Sequence, residues 1–179
     1  LVAMGSLGYV GQSFCYFAAL QHATAGLTAL LLYLYPAIVT VLAAILTRRR
    51  LSLLRLLAVA AALLGSGLAI GGSLAGSPLG ILLGVAAAMI YSIYILVGER
   101  VTPLAGAMPS STVIMLAAAA VFGLMAFSQG AALPASPVAW AAIGGIALLS
   151  TVVAMITFFA GMARLGAADA ATLSTLEPL

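Results

Sequence analysis

An all-helical bundle dissolved in a lipid bilayer is the fold class this sequence predicts, and three observations predict it. First, of 179 residues 65% are hydrophobic and only 5% are charged, where a soluble domain carries about 25% charged residues. Second, the apolar residues come in stretches of roughly 20, the number a helix needs to cross ~30 Å of hydrocarbon. Third, every basic residue is an arginine, and every arginine falls at or beside alternate links between those stretches. Six arginines and three acids cannot keep a surface of this size wet. The composition therefore excludes a soluble globular domain and a disordered chain. A net charge of +3 is also too small for a surface that meets nucleic-acid phosphates. The lone cysteine, Cys15, cannot form an internal disulfide.

Breaks where Gly, Pro, Ser or Arg cluster divide the chain into seven spans, at about 1–20, 23–47, 53–73, 77–98, 107–128, 137–161 and 164–179. The chain begins inside one apolar run and stops inside another, as a segment of a longer protein would, so the seventh span is expected to be truncated. The links between spans are short, which makes neighbours antiparallel and the bundle tight. Strands are not expected, because the runs are too long and polar and apolar residues do not alternate. Arg48, Arg49, Arg50 and Arg55 surround the second link, Arg100 is on the fourth, and Arg164 opens the last span beside the sixth. These links share one side, which the positive-inside rule makes cytoplasmic.

Polar residues recur at helical spacing along five of the spans. On the first, Tyr9, Gln12, Ser13 and Tyr16 form one face. An unpaired Gln amide facing lipid is costly, so this face points inward, either to a cavity or to a neighbouring helix as interhelical glue. The second span carries Thr24, Thr28, Tyr33 and Tyr35 before Pro36. The third and fourth hold glycine pairs at four-residue spacing (Gly67–Gly71, Gly72–Gly76, Gly80–Gly84), expected to let those two helices approach closely. The fourth adds Tyr91, Ser92 and Tyr94, the sixth Ser150, Thr151 and Thr157, and the last Thr172, Ser174 and Thr175. Pro36 and Pro178 each free a carbonyl one turn earlier, which kinks the helix and leaves a polar handle.

Two acids lie inside the last span. Glu177 is ~20 Å along the axis from Arg164, past mid-membrane, and Asp169 only ~7.5 Å. A carboxyl at that depth is expensive and normally faces water or a partner. Glu177 therefore lines a solute path, binds a cationic group or takes up a proton; the competing reading is a protonated Glu bonded to a carbonyl freed near Pro178. Asp169 is expected to pair with Arg164 or to sit hydrated at the interface. No metal site or cofactor is expected, since His22 is the sole histidine and there is no acidic cluster. Gly11-Gln12-Ser13 and His22 sit on one helix, ~13 Å apart along it, which does not build a serine protease, so an enzyme is not expected.

The chain also repeats itself. At an offset of 142, Phe17 matches Phe159, Ala18 Ala160, Ala25 Ala167, Ala29 Ala171, Leu31 Leu173, Leu34 Leu176 and Pro36 Pro178. The first span and its match are an odd number of helices apart, so the copies must point opposite ways. Arg164 on one side then corresponds to His22 on the other. Inverted repeats of this kind build many secondary transporters.

With these features the sequence resembles the EamA family of the drug/metabolite transporter superfamily. The family's fourth helix carries small residues and then Leu-x-Pro, here Ala29 to Leu34-Tyr35-Pro36, and its ninth carries Glu-Pro, here Glu177-Pro178. Where the family often has Gly-Glu-Arg-Leu after the fourth helix, this chain has Arg48-Arg49-Arg50-Leu51, with Arg49 in place of the acid. Gly98-Glu99-Arg100 is similar to that motif but at another link; Leu53-Leu54-Arg55 and Gly65-x-Gly67 are similar to the family's fifth helix. The resemblance implies ten helices in two inverted five-helix repeats, this chain supplying helices three to nine. Residues 1–73 would end the first repeat and 77–179 form most of the second.

It also implies a secondary transporter in a bacterial inner membrane, exporting a small metabolite or drug-like solute by alternating access. An ion or proton gradient would drive it. The central site would lie between the first, second, fourth, sixth and last spans of this chain. Candidate residues are Glu177, Gln12, Tyr16, Tyr35, Tyr91, Tyr94 and Thr175, with Pro36 and Pro178 as kinks. The partners expected are a small-molecule substrate and lipid, and no nucleic acid. The rival is a channel-like or non-transporting membrane protein whose buried polar groups serve packing.

Overall fold

The computed structural model describes residues 1–48, 52–70, 74–130 and 134–176, with the backbone alone for residues 55, 66, 69, 70 and 176. Arg49, Arg50, Glu177 and Pro178 lie outside the described residues, as does the side chain of Arg55.

The chain starts with a π-helical segment, Met4–Tyr9, that continues into α1, Val10–Leu20. Two short helices follow, α2 (Ala25–Leu32) and α3 (Tyr35–Thr47), then α4 (Leu53–Ile70), α5 (Pro78–Ala105) and α6 (Ala107–Ser128). The sixth span is α7 (Pro137–Gly145), a second π-helical segment (Ile146–Val153) and α8 (Ala154–Leu165); α9 (Ala167–Leu173) and a 3-10 turn (Ser174–Leu176) close the described chain. Among the described residues the only β-pairing is an isolated bridge, Ala23 to Gly76.

The starts of the helices are written locally. Ser77 and Ser136 each precede a proline, and each accepts at 3.2 Å from a backbone N–H three residues on, that of Gly80 or Ala139. A serine cap before a proline in the first turn satisfies one orphan donor and needs no N–H from the proline.

The surface is inside out relative to a soluble protein. Phe127 is 89% exposed, and Leu68 and Leu104 85%, while Thr28, Ser92, Ser110 and Ser111 are fully buried. Lipid is the solvent for the apolar exterior, and polar groups take the interior, where Thr28 and Ser92 bond to backbone carbonyls. Among the described residues four helical stretches are long and apolar enough to cross a membrane: Ala25–Thr47, Pro78–Ala105, Ala107–Ser128 and Pro137–Leu165.

α5 is the axis of the bundle. At one end the His22 carbonyl accepts from Ser77 N–H at 2.8 Å and Thr24 N–H donates to Ala75 O at 2.8 Å, so α5 starts where the first span ends. At the other end the side chains of Met4, Phe159 and Met162 converge on Gly98, where a Cβ would stand 3.0, 3.3 and 3.4 Å from Phe159, Met4 and Met162. Met4 opens the first span and Met162 nears the end of the sixth, so those two spans run in opposite directions. The second span opens beside Gly76 and α9 opens beside Glu99, so they too are opposed.

Three expectations need correction. The fourth span does not stop before Glu99: α5 stays helical through Pro103 to Ala105, and the corner is Gly106 at φ +87°. Burial of Thr102 against the bundle holds this last turn in place. Likewise Arg164 does not open the last span but lies in the last turn of α8, where a cation suits the helix dipole. The corner there is Gly166 at φ +86°, a conformation that glycine alone adopts freely. Finally, Gly80 and Gly84 do allow close approach, but to His22 in the link after the first span and to Leu31 of the second span rather than to the third.

A tyrosine-walled cavity inside the bundle

A cavity of about 740 Å³ lies among five spans. The first contributes Tyr9 and Gln12, the second Leu32, Tyr33 and Tyr35, and the fourth Tyr91 and Tyr94. The sixth contributes Ser150, Thr151 and Thr157 with Phe158 and Phe159 among others, and the last Ala170, Leu173 and Ser174.

The second span owes its place here to a break. Helical pairing stops at Tyr33-Leu34, immediately before Pro36 in the first turn of α3. Proline cannot donate to the carbonyl one turn earlier, and that carbonyl belongs to Leu32, which borders the cavity. The break turns Tyr33 and Tyr35 inward and brings the Tyr35 hydroxyl into a hydrogen bond with Ser174 Oγ, joining the second span to the last. Ser92 Oγ donates to the carbonyls of Ala88 at 2.7 Å and Tyr35 at 3.3 Å, fixing α3 against α5.

The rings form one connected wall. Tyr33 and Tyr35 centroids are 6.5 Å apart, Tyr35 and Tyr91 4.8 Å at 66°, and Tyr91 and Tyr94 5.9 Å and nearly parallel. Tyr94 continues to Phe159 at 6.0 Å and Phe159 to Phe158 at 6.2 Å. Edge-to-face and offset pairs of this kind hold one another in place. Gly8 leaves the room that Tyr94 needs, since a Cβ there would stand 3.0 Å from Tyr94 Cδ2. The facing side is hydroxylic. Thr157 Oγ1 donates back to Val153 O at 2.8 Å, and Ser174 Oγ lies 2.9 Å from Ala171 O.

Of the candidate residues, Gln12, Tyr35, Tyr91 and Tyr94 border the cavity. Tyr16 does not; its ring stands edge-on to Phe17 at 5.8 Å. Thr175 is buried behind the lining, donating to Thr172 O at 2.7 Å. Glu177 and Pro178 lie outside the described residues. Sequence reading missed Phe158 and Phe159 as wall residues, although the pair was visible as the counterpart of Tyr16-Phe17. It also missed Glu99, which it placed in a link. Glu99 Oε1 accepts from Ala167 N–H at 2.8 Å and so caps α9 from a distant helix.

No Arg, Lys, Asp or Glu is among the cavity's described lining residues, and Arg48, Arg100 and Arg164 are exposed at the end of the bundle that holds Glu99.

Comparison with known proteins adds two findings. Five solved chains match, one of them described only as the crystal structure of a protein, at TM-score 0.82 and 24% identity over 99% of this chain. The chain spans 63% of that solved chain, and at this identity the likeness concerns the fold. None of the curated proteins matches. The EamA-like transporter family matches over residues 1–71 and 78–179. A polytopic helical bundle with that match along nearly its whole length belongs to the EamA-like transporter family of membrane proteins.

Proposed function

We propose that this chain is the central part of a secondary transporter that exports a small metabolite or drug-like solute by alternating access. The two halves, 1–73 and 77–179, act as inverted copies that rock about the cavity. The observation that carries the reading is the cavity itself, bordered by five spans and by polar groups within a bundle whose outside is apolar. Three features support the two-copy arrangement. The π-helical segments begin at Met4 and Ile146, and α2 and α9 begin at Ala25 and Ala167, both at the offset of 142 seen in the sequence. Each short helix then ends within one residue of the equivalent place, α2 at Leu32 and α9 at Leu173. The matched spans are opposed in direction. Discontinuous helices facing a midplane cavity are how many such carriers bind their solutes.

A bacterial inner membrane is the location that fits, with the arginine end in the cytoplasm. Glu177 remains the proton-coupling candidate. The test is flux from proteoliposomes of the full-length protein, preloaded with a solute panel and energised by a proton gradient. A saturable, gradient-driven efflux is expected, with Glu177→Gln losing its pH dependence. Flux that never saturates would make the protein a channel, and none across the panel would leave the polar groups a packing role.

A further inference from the structure

We propose that the Gln12 carboxamide is the recognition group of the cavity, and that the solute it takes carries an amide of its own beside a ring: a carboxamide, a lactam or a urea. The inference rests on reading the cavity as a solute site and names what that site selects. Gln12 borders the cavity and is half-buried. Its amide makes no hydrogen bond to another described residue. It is also open to contact. Among the described residues, the unpaired polar atoms shut inside the bundle are the hydroxyls of Thr40, Tyr94, Thr102, Ser110 and Ser111, and neither polar atom of this amide is one of them.

The helix aims the amide inward. Phe14 and Phe17, 59% and 63% exposed, mark the lipid side of α1. At about 100° per residue, Gln12 lies ~160° round the helix from Phe14 and ~140° from Phe17. An unpaired amide turned to lipid would be costly, and this one is turned away from it. Tyr9, one turn earlier, borders the cavity as well, and so do Thr151 and Ala154, the residues that match Tyr9 and Gln12 at the offset of 142. The matched positions thus meet the cavity from both stretches, and the first alone brings an amide to them.

A carboxamide offers an N–H donor and a carbonyl acceptor side by side. A ketone answers one of them. A second amide with its own N–H and C=O on one edge answers both, in a planar pair. The rings of Tyr9, Tyr33, Tyr91 and Phe158 border the cavity with part of their surface open, and they give the solute's ring an aromatic wall.

Three molecules of one shape test this: benzamide, with donor and acceptor; acetophenone, with the acceptor alone; and α-methylstyrene, with neither. Binding to purified full-length protein in nanodiscs is measured by equilibrium dialysis for the wild type and for Gln12→Met, which keeps the length of the side chain without its hydrogen bonds. Lipid partitioning is the same for both proteins and cancels in the comparison. Gln12→Met is expected to weaken benzamide about tenfold and acetophenone about threefold, and to leave α-methylstyrene unchanged. Benzamide held no better by the wild type than by empty nanodiscs, or held equally by both proteins, overturns the proposal. So does an equal loss for all three molecules, which would make Gln12 a packing residue. Gln12→Asn, which keeps an amide but draws it back by one methylene, covers the case in which Gln12→Met does not fold. It is expected to weaken benzamide and leave α-methylstyrene unchanged, and benzamide bound as in the wild type overturns the proposal there too. Amide-dependent binding without flux would remove the carrier and keep the site, whereas gradient-driven flux with amide-independent binding removes this inference alone.

Discussion

The stretch from Met4 to Leu34 and the stretch from Ile146 to Leu176 have the same element order but different surroundings. Each runs from a π-helical segment through a helix and a link into a short helix that begins at the same place and ends within one residue of the same place. The first is packed in: Gly5 has no room for a Cβ, which would stand 2.3 Å from the Ile114 carbonyl oxygen. Its counterpart, Ala147, is exposed. The first brings tyrosines to the cavity, Tyr9 and Tyr33, and the second brings hydroxyls, Ser150, Thr151 and Ser174. The short helices also start differently. Thr24 caps α2 with its own side chain, accepting from Leu27 N–H at 3.4 Å. The equivalent residue before α9 is Gly166, which has no side chain, and Glu99 reaches across from α5 instead. The comparison teaches that one backbone plan can carry two chemistries. Matched positions set where the short helices begin, and unmatched side chains make the cavity asymmetric, with Tyr9 and Tyr33 from the first stretch and Ser150, Thr151 and Ser174 beside Phe158 and Phe159 from the second.

Perturbing matched positions should give unequal effects. The largest is expected at the first π-helical segment. Gly5→Ala should destabilise the full-length protein by about 3 kcal/mol, the upper range for overpacking against backbone that cannot move. Ala147→Gly should cost about 1 kcal/mol, the helix-propensity difference alone. Thermal melting in micelles reads both, and equal losses would erase the distinction between a packed and an open copy.

Next come the two caps. Glu99→Ala removes a charged acceptor that ties α5 to α9 and should cost about 2 kcal/mol, against about 1 kcal/mol for Thr24→Ala. Hydrogen exchange should place the Glu99 loss in α9 and the Thr24 loss in α2. A loss spread evenly through the bundle would show that neither cap is local.

The smallest effects should separate the wall from its neighbourhood. Tyr91→Leu removes a ring 4.8 Å from Tyr35 and should raise the half-saturating concentration of a transported solute about tenfold, a stacking contact's worth. Tyr16→Phe, away from the cavity lining, should change it less than about twofold. Should Tyr16→Phe prove the more damaging, the lining drawn from the geometry is wrong.

Much of this was legible in the residues. Composition and run length specified a helical membrane bundle, because in hydrocarbon each backbone group must be satisfied within its own helix. The match of Phe17 to Phe159 and its neighbours marked two stretches that share an element order. The polar faces named Tyr35, Tyr91 and Tyr94, which border the cavity. Less legible were the ends. Glu99 and Arg164 are charged and so read as link residues, yet both are helical, because a helix end follows the packing of its last turn and the nearest glycine corner more than the nearest charge. Tyr16 read as part of an inward face since it shares spacing with Tyr9 and Gln12, but spacing fixes only a face of one helix, not what stands opposite.

By itself, then, the sequence determined the solvent in which this protein folds, the number of spans and the places where helices break, since those depend on hydrophobicity and on proline and glycine along the chain. Only the tertiary structure decided that the Tyr35 hydroxyl would find Ser174 and the Tyr94 hydroxyl no partner among the described residues, and that Glu99 would cap a helix 68 residues away. Those are contacts between spans far apart in the chain, and no local pattern encodes which side chain arrives opposite another once the helices are packed.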